Sequence, residues 1–164
     1  MDEADLNKPQ LATILCGGLG TRMHPYTKTL PKPMIPCSGK PFLFHLLRQL
    51  SELGINRFLL LIGYLGEKIE EYFGDGKEWG WEIHYSKGPA DWKTGKRIWE
   101  ARDKLDDRFL LLYSDNFALF PTEKVWALHD KNALTLMISS KTPGNIAIDE
   151  SNKVRLYDND RKRE

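Results

Sequence analysis

Residues 17–22 read Gly-Gly-Leu-Gly-Thr-Arg, and ten positions beyond Arg22 a lysine stands between two prolines, Pro31-Lys32-Pro33. Together these suit phosphate chemistry. Gly17, Gly18 and Gly20 carry no Cβ, so the backbone there can approach a ligand closely and take positive φ. Consecutive N–H groups in such a loop make a nest for anions. Arg22 adds a planar fork matched to phosphate oxygens. The flanking prolines stiffen the chain and restrict where Lys32 can point. A bare Gly-Gly-x-Gly is as readily a tight turn; the two cations tip the reading to anion binding. Two other glycine motifs do not fit. A dinucleotide fingerprint would place a third glycine at position 23, which is Met23. A P-loop would continue Gly39-Lys40 with Ser or Thr, where Pro41 stands.

Asp115 is the third chemical candidate. It follows the apolar run Phe109–Tyr113 (FLLLY) by one serine. An aspartate there is either a turn former or a carboxylate presented at a strand end.

The elements that must position these groups are legible in the hydrophobic pattern. Leu11 to Cys16 is an apolar run stopped by glycines and reads as a buried strand. Residues 19–40 read as a long ordered loop, of the kind that is usually functional. Pro41 opens a helix at its first position, with Leu43, Leu46, Leu47 and Leu50 on one face and Gly54 as the stop. Strands follow at Arg57 to Ile62, Trp81 to Tyr85 and Phe109 to Tyr113, with helices at Glu67 to Phe73 and Thr94 to Leu105. A helix is expected over Thr122 to Lys131, and strands over Ala133 to Ser139, Asn145 to Ile148 and Val154 to Tyr157. Apolar strands separated by amphipathic helices imply an α/β fold with a mainly parallel sheet covered on both faces. Ligands in such sheets sit beyond the carboxyl ends of the strands. The glycine loop and Asp115 both fall at such ends, so they are expected on one rim.

Composition sets the outer limits. The 164 residues suffice for one domain, 29% of them are charged, and the formal net charge is +1. A protein that binds nucleic acid by phosphate neutralisation is usually more basic. No apolar run is long enough to cross a membrane. The first ten residues are polar, unlike a signal peptide, and the two cysteines, Cys16 and Cys37, are too few for a disulfide framework. A reducing cytoplasm is the expected compartment.

Taken in order, Gly17 to Arg22, Pro25, Thr27, Pro31-Lys32-Pro33-Met34 and Gly39-Lys40-Pro41 resemble the signature of the sugar-1-phosphate nucleotidylyltransferases. The match runs over residues 11 to 116. The resemblance implies a Rossmann-like three-layer sandwich of the nucleotide-diphospho-sugar transferase type. It implies a nucleoside triphosphate and a sugar 1-phosphate as partners, Mg2+ as cofactor, and neither nucleic acid nor membrane; homo-oligomerisation stays open. Carried over by position, Gly17, Gly18, Gly20 and Thr21 line the nucleotide, Arg22 and Lys32 are the catalytic cations, and Asp115 holds the metal. Such enzymes have a second metal aspartate and sugar-gripping residues beyond residue 150. Asp149, Asp158 and Asp160 are available but lie in no matching context, so a single domain over 1–164 is expected, either lacking its C-terminal sugar-binding part or an unusually short member.

One stretch departs from the family. Many members open the helix after the third strand with a glycine-rich run near the base. Here it reads Lys93-Thr94-Gly95-Lys96-Arg97-Ile98, closer to the Thr-Gly-Gly-Arg of glucose-1-phosphate cytidylyltransferases. Thr94 and Gly95 are the expected nucleotide contacts. The short 67–92 stretch instead resembles heptose- or mannose-1-phosphate guanylyltransferases, so the base stays open. Lys93, Lys96 and Arg97 either contact phosphate or form a solvated helix face. His24 and Trp92 are weaker ligand candidates. Two other functions compete: a nucleotide-binding module without catalysis, and cytidylyl transfer to a non-sugar phosphate.

Overall fold

The computed structural model describes residues 8–117, 125–126, 134–136 and 146–157. These fall in two compact units, Met1–Trp126 and Ala127–Glu164.

The first unit is built on four parallel strands: β1 (Leu11–Cys16), β4 (Arg57–Ile62), β5 (Glu82–Lys87) and β6 (Phe109–Tyr113). Their order across the sheet is β5-β4-β1-β6. The chain therefore runs outward from β1 through β4 to β5, then crosses back to lay β6 on the other side of β1. The reversal makes the carboxyl ends of β1 and β6 a topological switch point, where sheets of this kind hold ligands.

Helix α1 (Phe42–Glu52) and helix α2 (Glu67–Phe73) cover one face, and α3 (Thr94–Glu100) the other. Successive strand residues point to opposite faces. Ala12, Ile14, Cys16, Phe58, Leu60 and Ile62 accordingly join the α1 leucines in one core, whereas Leu11, Leu15, Leu59 and Leu61 meet Ala101 and Ile98 in the other. The three-layer α/β arrangement expected from the sequence is thus the observed one. β1 and β4, inside the sheet, are buried along nearly their whole length; β5 and β6, at its edges, are partly exposed.

Several boundaries move. Pro41 stands one position before α1, in extended conformation, where it pairs with Pro36 in a short hairpin of β2 (Pro36–Cys37) and β3 (Lys40–Pro41). Gly54 does stop α1: its φ is +81°, its N–H bonds Ser51 O at 2.8 Å, and Ile55 N–H bonds Leu50 O at 3.0 Å, a Schellman closure. β5 begins one residue later than expected and runs two further, because its register against β4 (Arg57↔Glu82 to Ile62↔Lys87) sets its ends. Trp81 packs instead among Phe44, Phe58 and Trp79. The helix expected to Leu105 stops at Glu100, and Arg102–Lys104 forms a separate 3₁₀ turn. The loop 19–40 is ordered by three 3₁₀ turns, Thr21–Met23, Tyr26–Lys28 and Lys32–Met34.

In the second unit, β7 (Ile146–Ile148) and β8 (Val154–Tyr157) form an antiparallel hairpin. The expected elements over 122–131 and 133–139 lie mostly outside the described residues.

Candidate functional site

β1 delivers the chain into the glycine loop, and two carbonyls of that loop are tied inward. Gly17 O accepts an N–H from the Arg97 guanidinium at 3.1 Å and the Tyr64 N–H at 3.4 Å. Gly20 O accepts the hydroxyl of buried Thr27 at 2.9 Å and the Met23 N–H at 2.9 Å. Among the described residues, the N–H groups of Gly18, Leu19, Gly20 and Thr21 meet no backbone acceptor. They remain available to an anion.

The three glycines differ in their surroundings, and only Gly20 takes positive φ. A Cβ at Gly17 would lie 2.3 Å from Cζ of Arg97, so the space beside this position is taken by the guanidinium. A Cβ at Gly18 would meet nothing within 4 Å. Gly20 combines φ +64° with close neighbours, Thr27 Cγ2 at 3.0 Å and Lys32 Cβ at 3.2 Å.

Lys32 opens its own 3₁₀ turn between Pro31 and Pro33, both of which are buried. The prolines anchor the backbone and leave the lysine to reach out. Its Nζ stands 2.5 Å from Asp115 Oδ2. Asp115 arrives from the other side of the switch point. Leu15 pairs with Tyr113 in the ladder, and Ser114 N–H extends it by bonding Leu15 O at 3.3 Å. Ser114 is buried and hydrogen-bonds Cys16, whose thiol is pushed up to about 12 by burial. Asp115 then emerges exposed. Beside the pair lies a cleft of about 240 Å³ with mostly apolar walls, Met23, Ile35, Cys37 and Phe42 among them.

Thr21 and Arg22 are exposed on the first 3₁₀ turn. Among the described residues Arg22 makes no ion pair, so the structure joins Lys32 to Asp115 but not Arg22 to either. Thr94 and Gly95 form the first turn of α3, with open space over Gly95. They connect to the glycine loop through Arg97, farther along the same helix.

Arg97 is neither solvated nor presented to a ligand. It is 6% exposed, and its guanidinium donates to four carbonyls: Trp92 and Ile62 at 3.1 Å, Gly17 at 3.1 Å and Pro89 at 2.6 Å. Burial lowers its pKa, an effect that Asp91 and Cys16 oppose; an arginine stays charged regardless. The spacing 97, 98, 101, 105 places it on the inward helical face, the one signal that could have found it. Lys93 is exposed. Lys96 Nζ lies 5.0 Å over the Trp92 ring, which packs against Gly88.

No group of three or more His, Cys, Asp or Glu side chains among the described residues is arranged to hold a metal. Asp149 is committed to its hairpin, accepting from Ser151 Oγ at 2.7 Å and from Arg155 Nε at 2.7 Å. Asp158 and Asp160 lie outside the described residues. No helix among those residues is long and apolar enough to cross a membrane.

A family model described as "Nucleotidyl transferase" matches residues 11–148. The chain belongs to the nucleotidyl transferase family. A "Probable glucose-1-phosphate cytidylyltransferase" of Bacillus subtilis is 39% identical over 65% of this chain, which takes in 50% of that relative. A D-glycero-alpha-D-manno-heptose 1-phosphate guanylyltransferase of Campylobacter jejuni is 35% identical over 90% of this chain and 67% of its own length. The crystal structure of HddC from Yersinia pseudotuberculosis superposes with a TM-score of 0.72 at 22% identity, covering 90% of this chain and 69% of that one. This nucleotidyl transferase chain thus shares its fold with HddC and spans about half the length of its Bacillus subtilis relative.

Proposed function

We propose that this chain carries the transfer site of a sugar-1-phosphate nucleotidylyltransferase, joining a nucleoside triphosphate to a sugar 1-phosphate with release of pyrophosphate. The observation that carries this reading is the Lys32–Asp115 pair, 2.5 Å apart, at the switch point beside a glycine loop whose N–H groups meet no backbone acceptor among the described residues. The family membership and the names of the relatives support it.

A phosphate oxygen of the sugar phosphate attacks the α-phosphorus in line. The bond from that phosphorus to the bridging oxygen breaks, and pyrophosphate leaves with the electron pair. The nucleophile is already an anion, so no general base is needed. The protein's task is to hold two polyanions together, and positioning with electrostatic stabilisation supplies most of the catalysis in such transfers. The N–H groups of the glycine loop bind the triphosphate. Lys32 bridges the α-phosphate and the attacking phosphate, and Arg22 offsets the charge on departing pyrophosphate. Thr94 and Gly95 are assigned to the nucleoside side.

Asp115 fits Mg2+. That ion is commonly held by one or two carboxylates while keeping waters and phosphate oxygens as its other ligands, and Asp115 is an exposed carboxylate next to an anion nest. When bound, the ion supplies positive charge to the phosphate oxygens and orients them.

The test is a screen of GTP, CTP, UTP and dTTP against glucose, mannose and heptose 1-phosphates, read by coupled pyrophosphate detection. Release with at least one pair is expected. Tight nucleotide binding without release from any pair would reduce the chain to a binding module. A CDP-linked alditol or choline product by mass spectrometry would replace the sugar with another phosphate.

A further inference from the structure

Arg97 is a buried cation that, among the described residues, has no carboxylate hydrogen-bonded to it; its four bonds go to main-chain carbonyls. Those carbonyls belong to three separate segments at the ligand-facing rim: Gly17 after β1, Ile62 at the end of β4, and Pro89 and Trp92 in the loop after β5. The packing around the fork is built for it. A Cβ at Gly17 would stand 2.3 Å from Arg97 Cζ, and one at Gly63 would stand 2.9 Å from Nη2 and 2.7 Å from Gly17 O. Two glycines in different loops are thus emptied around one guanidinium.

The consequence follows from peptide geometry. A trans peptide is planar, with its C=O and N–H pointing in opposite directions. Holding Gly17 O toward Arg97 therefore turns the Gly18 N–H away from the guanidinium. Thr27 does the same one step on: by holding Gly20 O it turns the Thr21 N–H outward. A lysine could neither span these segments nor fix a carbonyl's direction, because its ammonium is a point charge on a flexible stem whereas arginine's donors form a rigid plane.

We propose that Arg97 is a positioning residue: it holds the Gly17 carbonyl inward so that the glycine loop presents its N–H groups to the triphosphate, and it locks that loop to the segment 88–92. Its role is to orient the cradle, with no contact to the nucleotide. This rests on the nucleotidylyl-transfer reading above, and the test separates the two.

Wild type and Arg97→Lys, with Mg2+ present, are titrated with inorganic tripolyphosphate by calorimetry. That probe lacks base and sugar and so reports on the anion nest. Wild type is expected to bind, and the variant to bind about tenfold or more weakly at unchanged stoichiometry. A merely structural role would instead lower the stoichiometry of competent protein and leave the Kd alone. The Gly18 amide resonance is expected to shift in the variant. Should Arg97→Lys fail to fold, Gly17→Ala carries the test, since its methyl group displaces the guanidinium while leaving it in the chain; the same weakening is expected. Wild-type Kd in either folded variant would overturn the inference alone. No binding by wild type would overturn the nucleotidylyl-transfer reading and this inference with it.

Discussion

Lys32 and Asp115, 83 residues apart in the chain, form an ion pair of 2.5 Å across the switch point of the sheet. Both side chains are partly exposed, at 28% and 38%, so the pair itself adds little stability. Its value lies in what it can offer a substrate. Removing a preorganised group that meets developing charge costs about 10²–10³ in rate. Lys32→Ala and Asp115→Asn are each expected to lose that much in pyrophosphate release, with melting temperatures close to wild type. Wild-type turnover in both would remove the pair from the mechanism.

The pair also sets a competition. The Lys32 ammonium occupies one of the two oxygens of the Asp115 carboxylate, the group proposed above to hold the divalent cation. Activity should vanish with EDTA and return with Mg2+. In Lys32→Met, free Mn2+ should bind more tightly than in wild type, as followed by electron paramagnetic resonance without nucleotide, although turnover is lost. Weaker Mn2+ binding in that variant would place the cation away from Asp115.

Gly18 and Gly20 should separate binding from stability. Gly18 faces open space, so Gly18→Ala is expected to melt near wild type while losing triphosphate affinity. Gly20 holds φ +64° with Thr27 Cγ2 3.0 Å from its would-be Cβ. A side chain in that conformation costs about 1–2 kcal/mol, so Gly20→Ala should show a reduced unfolding free energy in urea as well as reduced affinity.

Thr27 is buried, and its hydroxyl donates to Gly20 O. Thr27→Val keeps the shape and deletes that bond, leaving the carbonyl only the Met23 N–H. A loss of about 1 kcal/mol of stability is expected, together with weaker tripolyphosphate binding from a loosened loop. Unchanged affinity would show that the Met23 N–H suffices to hold the carbonyl.

The two thiols should react very differently. Cys16 is buried and its thiol pKa is raised to about 12, so at pH 8 almost none of it is thiolate, the reactive form. Cys37 is exposed and lines the cleft beside Lys32 and Asp115. A disulfide reagent should titrate one thiol in the native chain and two in denaturant. Labelling of Cys37 with a bulky maleimide should block turnover, and triphosphate with Mg2+ should slow the labelling. Equal reaction of both thiols in the native state would contradict the packing of Cys16.

The sequence by itself determined the parts of this protein that depend on local pattern. The bounds of β1, β4 and β6 could be read because apolar runs of the right length end at glycine or polar residues, and those of α2 because Ile69 and Phe73 stand four apart before Gly74. The parallel α/β class followed from their alternation, and Lys32 and Asp115 stood out because prolines and a strand end frame them. Tertiary structure alone decided which strands are neighbours. Only the return of β6 to β1, in the register Leu15↔Tyr113, brings Asp115 to Lys32. It also decided what surrounds Gly17 and Arg97. Arg97 is held by backbone carbonyls, which every residue carries, so no side-chain pattern could announce its partners. The empty space at Gly17 serves a side chain 80 residues away, and that relationship exists only once the sheet has brought the two together.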